Sequence, residues 1–389
     1  MTDPTTRNTT LDPTFTIITA SWNNGRYLPS VIDSVLNQSF QDWEQIIIDD
    51  CSTDDSWEIL SQVRDPRIRI HRHERNLGGA AAYNTALSMA RGRYIATLDS
   101  DDQYLPDFLS KHVEHFAEDP GLSVSYSHVQ EIDEEGQPCD EGGYRAWFNG
   151  TTDLNDPKSW LWQNRLCHGT AVITRKAHDV IGPMRPDFVF APDWDLWIRC
   201  LAAGQKFGVI PEPLMQARVH RSNITKRFDS RLSLEYAKLS AEHLHPFLLA
   251  VDRADLVEEN IELFFERPEF RDEDPAFAEE ILAVLAGGLP HKTFAGALRR
   301  FSMRYGHQID VTQFQAQRDA AVIEKLETRL QALDDRTKEL TQEVTSLKER
   351  LGVAEDQRAQ VEAQLNRIRG NRVYRLAAGS RRVMRLGRL

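Results

Sequence analysis

Tyr94-Ile95-Ala96-Thr97-Leu98-Asp99-Ser100-Asp101-Asp102 is an apolar run that ends abruptly in three acids. A short run of this kind reads as a buried strand of a mostly parallel sheet, and in open α/β sheets ligands sit beyond the carboxyl ends of the strands. Upstream, Gln45-Ile46-Ile47-Ile48 repeats the pattern and ends in Asp49-Asp50-Cys51-Ser52-Thr53-Asp54. Three further runs, Phe15–Thr19, Arg67–His71 and Leu122–Tyr126, alternate with amphipathic stretches such as Leu28–Gln38 and Ala80–Arg91. Between Phe15 and about Phe207 this is the signature of βαβ units: an α/β fold with a mixed, mostly parallel sheet flanked by helices.

Acids gathered at a strand end repel one another, so such clusters usually have a positive partner. Two carboxylates at i and i+2 in a loop, such as Asp99 and Asp101, are able to share one divalent cation. Oxygen ligands suit Mg or Mn, which in turn hold a diphosphate. Alone, a D-x-D is more often a solvated turn.

Its surroundings change the reading. In one order come Phe15-Thr16-Ile17-Ile18-Thr19-Ala20-Ser21-Trp22-Asn23, Asp49 to Asp54, Asn76-Leu77-Gly78 with Asn84 behind it, Asp99-Ser100-Asp101, and Pro192-Asp193-Trp194-Asp195-Leu196-Trp197-Ile198-Arg199. Over roughly residues 14 to 222 the chain resembles the family 2 glycosyltransferases of the GT-A fold.

The resemblance implies a nucleotide-binding sheet and a role for each matching position. Asp50 matches the acid that bonds the nucleotide base, with Ser21 and Trp22 forming the rest of that pocket. Asp101 matches the direct metal ligand, Asp99 is shared between metal and ribose, and His220 in Arg218-Val219-His220 completes the metal site. Asp193 matches the catalytic base, and the chemistry agrees, because an inverting transfer needs one carboxylate to take the acceptor hydroxyl's proton. Asp195, two residues on, is expected to pair with a neighbour such as Arg199. Trp160, Trp162, Cys167, His168, Gly169 and Thr170 lie where relatives carry an acceptor loop, and Trp160, His168 and Gly169 are the acceptor-binding candidates. Three positions depart from the family pattern: Ala20 for a common proline, Tyr83 for an arginine that contacts the nucleotide, and Pro192 for the acid before the base.

Implied partners are a UDP-linked nucleotide-sugar, a divalent metal (Mn or Mg), and a saccharide or lipid-linked glycan acceptor in cell-surface polysaccharide synthesis. A nucleotidyltransferase would open with a Gly-rich basic loop, which Ala20-Ser21-Trp22-Asn23 lacks. A coiled-coil scaffold with an inactive transferase-like head is the alternative.

The 389 residues allow two to three domains. Apolar residues at 41% and charged residues at 27% exclude wholesale disorder and a polytopic membrane protein. A net charge of −12 has the wrong sign for wrapping nucleic acid, so no nucleic-acid partner is expected. Four cysteines without C-x-x-C spacing suit a reducing compartment. The polar, Thr-rich residues 1–13 read as disordered and show no leader, and the expected location is cytoplasmic, peripheral at the inner membrane face.

The expected domain boundaries follow from composition: a transferase domain over 14–227, a helical extension over 228–310 without site signals, a coiled coil over 311–368 and a basic amphipathic tail over 369–389. From Ile323 to Ile368 a heptad seam steps in alternating threes and fours, including Leu326, Leu330, Leu333, Val361 and Leu365. That seam predicts homo-oligomerisation through a rod of roughly 70 Å. After Glu362 the chain carries eight arginines and no acid, leaving −20 on the residues before them. Such a tail suits an anionic membrane surface or a partner.

Overall fold

The computed structural model describes residues 12–150, 152–161, 163–221, 223, 230–266, 281–285 and 289, and further on 331, 338, 357, 360, 361 and 363–367. The chain divides into two units, residues 1–314 and 315–389. In the second, the described residues are helical, and Val361 and Leu365, both on the expected seam, are 55% and 45% exposed. The rest of the expected seam, the tail over 369–389 and residues 1–11 lie outside the described residues.

The first unit carries an eight-stranded sheet: β1 (Phe15–Ser21), β2 (Trp43–Asp49), β3 (Ile68–Arg72), β4 (Tyr94–Thr97), β5 (Gln103–Tyr104), β6 (Val124–Ile132), β7 (Ala171–Thr174) and β8 (Phe207–Arg218). Their order is β3-β2-β1-β4-β7-β6-β8-β5. Four of the seven pairings are parallel, β1 with β2 and β4, β2 with β3, and β6 with β8. The other three are antiparallel. Among the described residues, α-helices follow the same chain order, including α1 (Leu28–Leu36), α2 (Ser56–Ser61), α3 (Gly79–Met89), α4 (Phe108–Glu118), α5 (Tyr144–Phe148), α6 (Arg175–Ile181), α7 (Pro192–Ala202), α8 (Ser230–Leu239), α9 (His245–Ala250) and α10 (Ala254–Glu266).

Local sequence explains the centre of this layout. All seven residues of β2 are buried, as expected of a strand covered on both faces. In α1, Leu28, Val31, Ile32 and Val35 fall at i, i+3, i+4 and i+7 and bury one stripe, with Pro29 in the first turn. Register aligns Ser21 with Asp49 and Ile18 with Thr97, so the ends of β1, β2 and β4 open on one edge.

One core cluster, with Phe15, Ile17, Leu28, Val31, Phe108 and Leu109, takes in α1 and α4. Another, with Ile18, Ala82, Trp194 and Trp197, continues without a break into Ala237, Leu244, Leu248, Val257 and Ile261. Hydrophobic core therefore crosses the expected boundary between residues 227 and 228. Asn260 of α10 reinforces it, donating to the Leu161 carbonyl while its Oδ1 bonds His245 Nε2 at 2.7 Å.

Candidate functional site

At the end of β4 the chain turns sharply and sets Asp99, Asp101 and Asp102 in one crater. Asp102 is buried and accepts from the Arg218 backbone N–H at 2.8 Å. Burial and the charges of Asp101 and Asp99 push its pKa well above the carboxylate range. Asp99 remains open to the crater, where desolvation and then the charges of Asp101 and Asp193 push it up to about 7. Unbalanced negative charge is thus the crater's main electrostatic property.

Its positive side comes from the end of β8. Arg218 donates from Nε to the Asp101 carbonyl at 2.8 Å and from a terminal nitrogen to the Asp133 carbonyl at 2.9 Å, with its guanidinium 4.8 Å from the centre of the Tyr27 ring. Two residues on, His220 stacks on Tyr27 and brings Nε2 to 2.9 Å from Asp101 Oδ2. Asp101 and His220, 119 positions apart, are therefore in direct contact. Among the described residues no three His, Cys, Asp or Glu side chains converge as a ready cation site.

Beside His220 a cavity of about 430 Å³ is lined by Asn23, Asn24, Arg26, Tyr27, Asp54, Asp55, Glu134, His220 and Arg221. Asn23 forms its wall with φ of 55°, a left-handed conformation that asparagine tolerates better than most residues. Its N–H donates to Ser52 Oγ at 3.0 Å and its Oδ1 accepts from Thr53 N–H at 2.8 Å, tying the turn after β1 to the turn after β2.

The expected base-binding residues lie around the same edge. Trp22 is 54% exposed at the rim. Ser21 is buried, its carbonyl accepts from Asp50 N–H at 2.8 Å, and its Oγ has no hydrogen-bond partner among the described residues. Asp50 is busier than expected. Its carboxylate bonds His73 Nδ1 at 2.7 Å and accepts from the Leu77 N–H at 2.9 Å and the Gly78 N–H at 2.7 Å, so it anchors the turn that opens α3. Tyr83 does not face this edge: it is buried, and its hydroxyl bonds His178 Nε2 at 2.9 Å.

Asp193 stands in the first turn of α7, where Pro192 fits because that turn needs no backbone donor. Oδ1 accepts from the Trp194 N–H at 2.8 Å, and Oδ2 accepts from Asn164 Nδ2 at 2.6 Å. Burial outweighs these bonds and pushes its pKa up to about 6. Asp195 turns the other way into the core and pairs with Arg199 at 2.8 Å and His243 at 3.2 Å.

The segment leading into α7 is held from the helical extension. Glu235 of α8 accepts from the N–H groups of Val189 and Phe190 at 2.8 Å and of Ala191 at 3.1 Å. Sequence reading missed Asn164, Glu235 and Arg218 as functional neighbours; only Arg218 carried a signal, its place in Arg-Val-His.

Two of the acceptor candidates are buried in packing. Trp160 is fully buried, donates from Nε1 to the Leu154 carbonyl at 2.8 Å and packs on Phe207, so it offers no face to a sugar. His168 packs between Tyr83 and Trp197, and burial pushes its pKa down to about 3. Gly169 is buried against Met215. An aromatic or small residue serves a core as readily as a ligand face, and here the core takes Trp160 and Gly169. Trp162 lies outside the described residues.

The family model for glycosyl transferase family 2 matches residues 16–182. An uncharacterized glycosyltransferase, MJ1057 of Methanocaldococcus jannaschii, is 30% identical over 235 residues, 58% of this chain and 78% of the relative. The UDP-Glc:alpha-D-GlcNAc-diphosphoundecaprenol beta-1,3-glucosyltransferase WfaP of Escherichia coli is 40% identical over 190 residues, covering 49% and 71%. The structure of S. aureus TarS 1–349 in complex with UDP-GlcNAc shares the fold, with a TM-score of 0.58 and 16% identity over 75% of this chain and 92% of that one. With the strand-end acids, the sheet and these likenesses together, the chain belongs to the family 2 glycosyltransferases.

Proposed function

We propose that the chain is an inverting, metal-dependent glycosyltransferase that moves a sugar from a UDP-linked donor to a saccharide or lipid-linked glycan in cell-surface polysaccharide synthesis. One observation carries the reading. Asp193, a carboxylate with a pKa near 6 and a fixed orientation, shares a crater with Asp99, Asp101 and His220.

In this reading Asp193 takes the proton of an acceptor hydroxyl while that oxygen forms the new bond to the anomeric carbon. The bond from that carbon to the diphosphate oxygen breaks, and attack from the opposite face inverts the configuration. A pKa near 6 suits a base at neutral pH, being ionised yet more basic than an exposed carboxylate.

The donor types suit a divalent cation, although among the described residues they do not converge into a ready site. Carboxylate oxygens of Asp99 and Asp101 are ligands that Mn or Mg accept, the imidazole of His220 is a third donor that favours a transition metal such as Mn over Mg, and the raised pKa of Asp99 marks negative charge that a cation would relieve. When bound, the cation neutralises the charge that develops on the leaving diphosphate. Ser21, Trp22 and Asp50 are the proposed nucleotide contacts, Ser21 with a buried hydroxyl that lacks a partner among the described residues. The name of the E. coli relative, a UDP-Glc transferase acting on a diphosphoundecaprenol-linked sugar, supports a UDP donor and a lipid-linked acceptor. We further propose that the seam from Ile323 to Ile368 oligomerises the chain and that residues 369–389 dock it on an anionic membrane. Among the described residues no helix is long and apolar enough to cross one.

The test is a thermal-unfolding screen with Mn and UDP-, GDP- and dTDP-sugars, with Asp101→Ala as control. Metal-dependent protection by UDP-sugars, absent in the variant, is the expected result. No protection by any donor would overturn the reading.

A further inference from the structure

The turn that carries Asp193 is held from its far side by Asp195. Asp195 lies in the same first turn of α7, fully buried, and its Oδ2 pairs with Arg199 at 2.8 Å. Arg199 donates onward to the carbonyls of Ile181 and Pro183, where the segment leading into α7 begins. Asp195 Oδ1, by contrast, has no well-aligned hydrogen bond among the described residues. One nitrogen stands close to it, His243 Nε2 at 3.2 Å.

His243 belongs to the helical extension, outside the transferase domain expected from the sequence. Between α8 and α9 the helix widens into a single π-helical turn, Ser240–Leu244, a form that is rare overall and frequent at functional sites. Two consecutive residues of that turn reach the region of the proposed base together. Glu242 accepts from Arg185 at 2.6 Å, and His243 meets Asp195. Arg185 also brings a terminal nitrogen to 3.2 Å from His243 Nε2, so this ring nitrogen faces a donor on one side and a carboxylate on the other. A single ring nitrogen either carries a proton or offers a lone pair, and cannot serve both. Arg185 already has carboxylate partners in Glu242 and Asp187, whereas the buried Asp195 Oδ1 has no other donor among the described residues. A buried carboxylate oxygen left without a donor is costly, so the proton belongs on Nε2 and the imidazole donates to Asp195.

We infer that His243 is a positioning residue for the transfer: its bond to Asp195 fixes the rotation of the first turn of α7 and, with it, the place of Asp193 in the crater. The inference rests on the reading of Asp193 as the base and adds the helical extension to the machinery that orients it. Residues two apart on an α-helix project about 200° from each other, so Asp193 and Asp195 grip the turn from opposite sides. Asn164 holds the one and His243 holds the other. If Asp195 turns to seek another donor, the same rigid turn carries Asp193 with it, and a displacement of about 1 Å at a reacting group costs up to roughly 10²-fold in rate.

His243 is open to test because its side chain is 26% exposed, unlike that of Asp195. His243→Phe keeps the ring and removes the donor, while His243→Gln supplies an amide N–H at a similar reach. The full chain is assayed with Mn and with UDP-glucose or UDP-N-acetylglucosamine, whichever protects the wild-type chain, and UDP release is followed. His243→Phe should lower kcat by about tenfold or more with donor KM within about twofold, and His243→Gln should recover most of that loss. A second readout needs no turnover. Trp194 lies between the two acids in sequence and is buried, so with 5-fluorotryptophan in the chain its ¹⁹F resonance, assigned with Trp194→Phe, reports on the turn. That resonance should shift or broaden in His243→Phe and return toward its wild-type position in His243→Gln. An unmoved resonance, a kcat within about twofold of wild type in His243→Phe, or equal losses in both variants would overturn the positioning role. Loss of turnover in Asp193→Asn alongside an unaffected His243→Phe would overturn this role alone, whereas wild-type turnover in Asp193→Asn would overturn the base reading and this inference with it.

Discussion

Asn164 and Asp193, 29 residues apart, meet through a 2.6 Å hydrogen bond from Nδ2 to Oδ2. This bond fixes the carboxylate rotamer of the proposed base. Asn164→Ala should therefore lower kcat by up to roughly 10²-fold, the scale of a small misplacement of a reacting group, with little change in donor KM. Steady-state kinetics checks the split, since loss of donor binding would raise KM instead.

The rate should carry an acid limb near pH 6, because Asp193 works only as the carboxylate and its pKa is pushed up to about 6. Below that value kcat/KM should fall about tenfold per pH unit. The Asn164 bond lowers the Asp193 pKa, so Asn164→Ala should move the limb to higher pH. A pH–rate profile of both proteins reads this directly.

Glu235→Ala should destabilise the fold by about 3 kcal/mol, because three backbone N–H groups of residues 189–191 lose a carboxylate partner. Those residues lead into α7, so kcat should fall as well. Glu235→Gln keeps one acceptor oxygen and should show an intermediate loss in urea unfolding.

Acid should weaken the fold in a defined window. Burial pushes His112 and His168 down to about 3 and His178 and His245 down to about 4. Each group takes its proton more readily when unfolded, near pH 6.5. Their stabilising contribution is complete above pH 6.5 and is lost as the pH falls toward 3 to 4. Asp99, Asp102 and Asp193, with raised pKa values, act in the opposite sense but are outnumbered by the histidines. Tm should accordingly drop between pH 6.5 and pH 4, as thermal melts at several pH values will read.

The central strands were legible because β1, β2 and β4 are buried on both faces and their apolar runs are continuous. β8 was not, because Pro211 and Pro213 interrupt it, much of its middle is exposed, and its pairing with β6 shifts register near His128. β5, with two residues, is too short to signal itself. In the site, the acids at strand ends were legible as a pattern, and Asp193 through its neighbours in sequence. Asn164 and Glu235 were not, since each acts across 29 to 46 positions through contacts that only the folded core creates. Trp160 misled for a related reason: nothing local separates an indole that fills a core from one that faces a ligand.

Replacing the proposed base is the most direct test. Asp193→Asn keeps the size of the side chain and an acceptor for the Asn164 amide. Sugar transfer measured on the donor that protects the wild-type chain should fall by at least about 10²-fold, with nucleotide-sugar and metal protection intact. Transfer within about tenfold of wild type would contradict the assignment of Asp193 as the base.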